Sequence, residues 1–416
     1  MQLSDYEAAL LAGQEGPAVQ RAMQIVTTLG RVYGAPDLIP VASVQVAGVS
    51  YRNLGDAGLE FNQDWAAQGA RVQVPTTLNP SGMDHKQWRE QGFSEDFAAK
   101  QVAVVAAYTA MGIMPTCTCI PYEIGNRPRA GQSLAWSESS AVVYANSVLA
   151  AHTNREGGPS ALAAAICGRT ARYGLHLPQN RLATHRITVR CPVRTSHEFA
   201  ALGYLVGKQV GDGVPCFVGL ELPPITLGVD GSASLASDHN DALKLMGAAL
   251  ASSGAVALYH VEGVTLEAQN ESMVGPAPHE ITVDSLAPTI AELNHAIDQI
   301  DLVVIGCPHA SLAEIGAVAE ELRGKKCRAQ VWVTTARAVR DQAAERGWVA
   351  EIEAAGGLVV ADGCVVVAPM RELCYRTLAT NSPKMAAYAL PHAGLQARFG
   401  DLSACMRAAV TGCWEA

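Results

Sequence analysis

Apolar positions along this chain follow a helical period in some stretches and strict alternation in others, and the second half settles into a helix–strand rhythm. Residues 3–32 carry a helical pattern, with Ser4 as cap, Glu7 at the capping-box position and Gly30 at the close. Residues 38–49 alternate apolar and small side chains and predict a strand that opens onto a loop at Gly48-Val49-Ser50. A second short strand is expected over 71–75, followed by a turn-rich run from Thr76 to Gly82 that contains Asn79 and Pro80. Helices are predicted over 97–114 and 139–150, and from Ser160 to Cys167, where Pro159 suits a first helical turn.

From about residue 185 the pattern changes. Strands are expected over 186–190 and 216–222, then a helix over 241–252 and a strand over 256–260. The rhythm continues with a helix over 286–298, a strand over 302–305, a helix over 312–323 and a strand over 330–334. A helix over 336–346 and a strand over 358–360 follow. Strands alternating with helices of this length imply an α/β fold built from parallel βαβ units. A chain of 416 residues exceeds what one core supports, so several domains are expected. The pattern divides it near 1–185 (an α/β part), 186–240 (a connecting β-rich part) and 241–416 (a second α/β part).

Composition narrows the function. With 49% hydrophobic and 17% charged residues, the chain is a well-buried globular protein and not a disordered scaffold. A formal charge of −9 argues against nucleic-acid partners. The longest apolar stretch, 102–114, is interrupted by Tyr108, Thr109 and Gly112, so no membrane span is expected. The first residues lack the basic and apolar regions of a signal peptide. Eleven cysteines then belong to a reducing, cytoplasmic setting, where thiols serve packing, metals or redox chemistry.

Three of those cysteines stand out. Cys119, Cys307 and Cys364 each sit in a predicted loop beside glycine or proline, the last two just beyond strands, where open α/β sheets bind ligands. Dispersed thiolates can hold an iron–sulfur cluster, whereas the absence of Cys-x-x-Cys spacing excludes a zinc-finger or ferredoxin arrangement. The bland reading of each is a small buried hydrophobe, and that reading is kept for Cys167, Cys191, Cys216, Cys327, Cys374, Cys405 and Cys413. Ser137, Glu138, Ser139 and Ser140 head an apolar helix; they are either a simple N-cap cluster or an anion site at a helix N-terminus. Gly48 to Ser50 and Asn79 to Gly82 are either turns or backbone nests for a carboxylate or phosphate. His309 is either a structural histidine or a partner to a metal ligand. Neither a Gly-x-Ser-x-Gly elbow nor a Walker A loop occurs.

Together these segments resemble the aconitase X family, and specifically its large subunit. The resemblance is carried by Cys119-Ile-Pro-Tyr122, Ala135-Trp-Ser-Glu-Ser-Ser-Ala-Val142, Tyr144-Ala-Asn-Ser-Val148 and Thr153-Asn-Arg-Glu-Gly-Gly-Pro-Ser160. Gly306-Cys-Pro-His309 and Thr380-Asn-Ser-Pro-Lys-Met-Ala-Ala-Tyr388 complete it. It implies an aconitase-like multi-domain α/β fold lacking the swivelling domain, and an iron–sulfur cluster on Cys119, Cys307 and Cys364. The third motif departs from the family's Asp-Thr-Cys, reading Asp362-Gly-Cys364. The resemblance also implies a pocket lined by Gly48, Val49, Ser50, Asn79, Pro80, Ser139, Ser140, Asn381, Ser382 and Lys384, with Ser139, Ser140 and Lys384 in catalytic roles. A separate small subunit would carry the swivelling domain and the catalytic base, making the enzyme a heterodimer.

The implied activity is that of a lyase, a dehydratase removing water from a β-hydroxy acid. Two substrates divide the family: cis-3-hydroxy-L-proline, giving Δ1-pyrroline-2-carboxylate, and (R)-5-phosphomevalonate. Arginine far outnumbers lysine here, a bacterial cast that favours hydroxyproline; only Arg52, Arg155 and Lys384 lie near the expected loops to hold a phosphate. A non-catalytic iron-binding or assembly subunit is the reading from another class.

Overall fold

The computed structural model describes residues 1–415, with all side chains in that span except those of Ser237 and Asp238. Three parallel sheets organise it. The first places strand Val44–Val46 between Thr76–Leu78 and Ala135–Trp136. Helices Tyr51–Ala67, Glu95–Ala110, Ser139–Ser147 and Gly158–Cys167 connect and cover it. The second holds His260–Val261, Pro215–Val218, Ala183–Val189 and Val274–Val283 in that order, so it draws strands from both sides of residue 240. Helices Ser196–Val210 and Ser237–Ser253 pack together beside it.

The third sheet has five parallel strands, in the order Gly357–Ala361, Gln330–Thr335, Leu302–Ala310, Thr377–Thr380 and Gln396–Phe399. Numbered along the chain, the order is 3-2-1-4-5, so the winding reverses between Leu302–Ala310 and Thr377–Thr380. That reversal opens a crevice at the carboxyl ends of the two strands, the usual ligand position in doubly wound folds. The α/β class and parallel βαβ units expected from the sequence are therefore present.

Several predicted elements shift, each for a local reason. The helix over 3–32 is two helices, Asp5–Leu11 and Pro17–Val32, because Gly13 and Gly16 take positive φ and Pro17 starts afresh. The Ser4–Glu7 capping box is present. The strand over 38–49 splits into Leu38–Pro40 and Val44–Val46, which pair in different sheets. The strand expected at 71–75 falls instead on Thr76–Leu78, while Val72 and Gln73 donate to the carbonyls of Met111 and Ala165. The helix over 286–298 contracts to Ala287–Glu292. The strand over 256–260 keeps ladder pairing only at His260–Val261. Val274–Val283 was not predicted because Pro276 and Pro278 argue against a strand; it lies at the sheet edge, where proline is tolerated. Among the described residues no helix is long and apolar enough to cross a membrane.

One buried histidine sets an acid limit on stability. His176 is 6% exposed, and both its ring nitrogens lack a hydrogen-bond partner. Burial, reinforced by His152 and Arg181, lowers its pKa from 6.5 to about 4. The unfolded chain therefore takes up a proton between those values and the folded chain does not, so stability is lost as pH falls from 6.5 towards 4. Over that window the loss amounts to about 3 kcal/mol. His176→Phe is expected to flatten this part of the curve of unfolding temperature against pH; an unchanged curve would assign the loss elsewhere.

Candidate active site

The carboxyl ends of the first and third sheets face each other, and a cavity of about 150 Å³ lies between them. From the first sheet come Asn79 and Pro80, which follow Thr76–Leu78, and Glu138 and Ser139, which follow Ala135–Trp136. Cys119 joins them, its segment tied to those strand ends by the Thr118 N–H on the Leu78 carbonyl (2.9 Å) and by Gln45 Nε2 on the Thr118 carbonyl (2.9 Å). From the third sheet come Cys307, Cys364 and Lys384, at the ends of three different strands. The two halves are joined where the Ser81 N–H donates to the Asp362 carbonyl at 2.8 Å.

Cys307 was expected in a loop after strand 302–305. The strand in fact runs to Ala310, and its ladder skips from Ile305 to Ala310, so Cys307, Pro308 and His309 bulge out towards the cavity. Gly306 permits the bulge: its φ is +99°, and a Cβ there would lie 2.1 Å from the Thr334 carbonyl oxygen. Gly363 has a similar reason, since a Cβ would come within 2.8 Å of the Met83 backbone. The short Asp362-Gly-Cys364 motif is thus what lets the third cysteine segment lie against the Met83–Asp84 turn. Arg337 pairs with both Asp84 (2.6 Å) and Asp362 and pins that contact.

All three thiols line the cavity. Cys117, two residues before Cys119, does not; it takes a φ of 44° and packs into the separate core around the N-terminal helices. Polar groups stand beside the lining sulfurs. Cys119 Sγ accepts the His309 N–H at 3.1 Å, and the Ser382 hydroxyl beside Cys307 and the backbone N–H groups beside Cys364 favour the ionised sulfurs. Burial nonetheless pushes all three thiols up, Cys307 to about 12, with the Lys384 charge opposing it. Thiols so placed ionise when a metal supplies the compensating charge. Among the described residues no three His, Cys, Asp or Glu side chains are arranged around a single metal ion. Three thiols spread around one cavity suit instead a polynuclear iron–sulfur group, which takes different thiolates on different irons.

The charged pair in the cavity wall is Lys384 and Glu138, 2.7 Å apart. Glu138 caps helix Ser139–Ser147 and also accepts from Asn79 Nδ2 at 2.8 Å and Ser140 Oγ at 3.1 Å. Burial alone would raise its carboxyl, but the Lys384 charge and these hydrogen bonds outweigh burial and hold it at about 2. Burial likewise works against the Lys384 ammonium, and the charges of Glu138, Cys307 and Cys119 raise it above its ordinary value. Both groups are therefore ionised at neutral pH. The sequence places Glu138 in a cap or anion-site cluster; its pairing with a lysine 246 positions away has no local signature.

Other expected pocket residues stand behind the wall. The Ser50 hydroxyl donates to the Val367 carbonyl at 2.7 Å, the Gly48 carbonyl accepts from Tyr108, and the Val49 carbonyl accepts from Gln101. Ser140 Oγ donates to Glu138, and Ser382 Oγ accepts the Met385 N–H. Asn79 and Asn381 each keep a buried Oδ1 without a partner. Arg52 spends its guanidinium on the carbonyls of Val366, Ala368 and His392, bracing the segment after Cys364. Arg155 donates to the Ala251 carbonyl and lies within electrostatic reach of Glu138.

Comparison with known proteins agrees with this architecture. Residues 1–179 match the aconitase X first domain, 183–291 its second domain and 300–411 its third. The phosphomevalonate dehydratase large subunit of Methanothermobacter thermautotrophicus is 49% identical, over 95% of each chain. The cis-3-hydroxy-L-proline dehydratase of Pseudomonas aeruginosa is 37% identical, over 99% of this chain and 70% of that one. The crystal structure of Thermococcus kodakaraensis aconitase X in its holo-form superposes with a TM-score of 0.88 at 43% identity, covering 98% of this chain and all of the other. The chain belongs to the aconitase X family and is a dehydratase of that family.

Proposed function

We propose that this chain is the large subunit of a two-chain enzyme that removes water from (R)-5-phosphomevalonate, with an iron–sulfur cluster held by Cys119, Cys307 and Cys364. The observation that carries the substrate is the degree of identity to named relatives. The relative at 49% identity bears the phosphomevalonate name, whereas two hydroxyproline relatives are 37% and 34% identical. This moves the reading away from the hydroxyproline substrate that composition alone favoured.

Bound at the three thiols, the cluster would supply Lewis acidity for the leaving hydroxyl. The chain's own groups do the rest on this side of the cleft. Lys384, its charge fixed by Glu138, is placed to hold the substrate carboxylate and the charge that develops on it. Asn79, with Nδ2 committed to Glu138, keeps Oδ1 for a substrate hydroxyl. Ser139 stands at the N-terminus of its helix beside Lys384.

What the described residues of the cavity lack is a base for the α-proton. Glu138, held at about 2, is too weak a base at neutral pH, and both ring nitrogens of His309 are engaged. A small subunit bringing the base on a swivelling domain, and closing the cleft, would complete the site. The relative from M. thermautotrophicus is itself named a large subunit.

The test is turnover by the chain co-expressed without oxygen with its small subunit. The complex should turn over phosphomevalonate with a higher kcat/KM than cis-3-hydroxy-L-proline. A preference for hydroxyproline would overturn the substrate. Iron and sulfide bound without turnover of either would leave the non-catalytic reading.

A further inference from the structure

The motif Gly306-Cys307-Pro308-His309 ends in a wholly buried histidine that touches all three cysteine segments. Its Nε2 lies 3.0 Å from the carbonyl oxygen of Gly363, the residue before Cys364. A carbonyl only accepts, so Nε2 carries the proton and Nδ1 is the acceptor. Nδ1 lies 2.9 Å from Oγ1 of Thr118, the residue before Cys119. That hydroxyl already accepts the Ile120 N–H at 3.2 Å, which leaves its single proton for Nδ1. The His309 backbone N–H donates to Cys119 Sγ at 3.1 Å, and two residues upstream is Cys307 itself. The His309 carbonyl is anchored in turn by buried Lys244 at 3.4 Å, which Asp241 (2.8 Å) and Glu314 (2.5 Å) hold in place.

The three cysteines come from distant parts of the chain and from different strand ends, and no covalent link joins their segments. Once ionised the sulfurs repel one another, so something must hold the segments at fixed separations. A cation in that position would pair with a thiolate rather than orient two backbones; a neutral ring with one donor and one acceptor at opposite corners does orient them.

We propose that His309, as its Nε2–H tautomer, is a positioning residue that clasps the Thr118–Cys119 and Gly363–Cys364 segments to its own, and so presets the cradle in which the cluster is assembled and kept. This rests on the reading of Cys119, Cys307 and Cys364 as the cluster's ligands.

The experiment uses the two-chain complex purified without oxygen. Iron, acid-labile sulfide and the visible absorption spectrum are recorded, followed by the rate at which a ferrous chelator removes iron. His309→Phe keeps a ring but loses both hydrogen bonds, and Thr118→Val removes only the hydroxyl opposite Nδ1. Both should lose iron about 10-fold faster than the wild type, the usual scale for groups that orient metal ligands. His309→Gln, which keeps a donor for Gly363, should fall between. Wild-type release rates and spectra in His309→Phe and Thr118→Val would overturn the proposal, as would a lowered unfolding temperature with no change in release. Should His309→Phe fail to fold, Thr118→Val decides alone. A wild-type complex with neither iron nor sulfide would overturn the cluster reading and this proposal together. A loaded wild type with indifferent variants would overturn only this proposal.

Discussion

Cys307→Ser in the assembled complex should lower turnover by about a thousandfold and reduce bound iron, while the small subunit still binds. The size follows from the chemistry assigned to the cavity. Lewis-acid assistance to a leaving hydroxide is worth several kcal/mol, and roughly 1.36 kcal/mol is a factor of ten, so losing it costs about three powers of ten. Serine preserves the bulge's shape but offers a hard oxygen where iron prefers a thiolate. Cys117→Ser is the matched control, because that side chain packs away from the cavity into the N-terminal core. Measuring iron, sulfide and turnover side by side decides the matter. Full activity in Cys307→Ser would mean that this cysteine is structural and that the dehydration does not depend on it.

The second large effect concerns the buried pair. Lys384→Met strands the Glu138 carboxylate, whose remaining partners are neutral, and should destabilise the fold by about 3–5 kcal/mol, as breaking a buried pair usually does. Glu138→Gln strands the ammonium and should also destabilise. The double variant, having no charge to desolvate, should recover most of the loss. Unfolding of all four proteins closes the cycle; single-variant effects that merely add in the double variant would show that the pair is uncoupled. The pH dependence has a fixed sign. Because the Glu138 carboxyl sits at about 2 in the fold against an ordinary 4.5, its contribution is complete above about 4.5 and is lost as pH falls towards 2. Lys384→Met removes the main force lowering that value, so its acid loss should begin at higher pH.

Much of the site was legible because its parts are local. Each cysteine motif carries its own glycine or proline, and Gly306 proves to be the residue that lets the strand bulge. The helix over 139–147 announces itself by its polar head, and Pro159 starts the next helix as expected. Cys117 and Cys119 stand two residues apart, and the fold separates them: one thiol packs into the N-terminal core and the other lines the cavity.

What escaped the sequence was pairing at a distance. Glu138 reads as part of a cap or anion site until Lys384 is brought beside it, and His309 reads as structural or as a partner to a metal ligand until Thr118 and Gly363 meet its two nitrogens. The edge strand Val274–Val283 was hidden for a related reason: its prolines are tolerable only where no neighbour needs their missing N–H. The parallel α/β class, the family and the three cysteines that prove to line one cavity could be read from the chain, because periodicity, turn chemistry and motifs are written in neighbouring residues. The reversal of strand order that opens the crevice, the pairing of Glu138 with Lys384, and the contacts of His309 with the three cysteine segments emerge only in the fold. Each of these depends on which distant groups share a space that water does not enter.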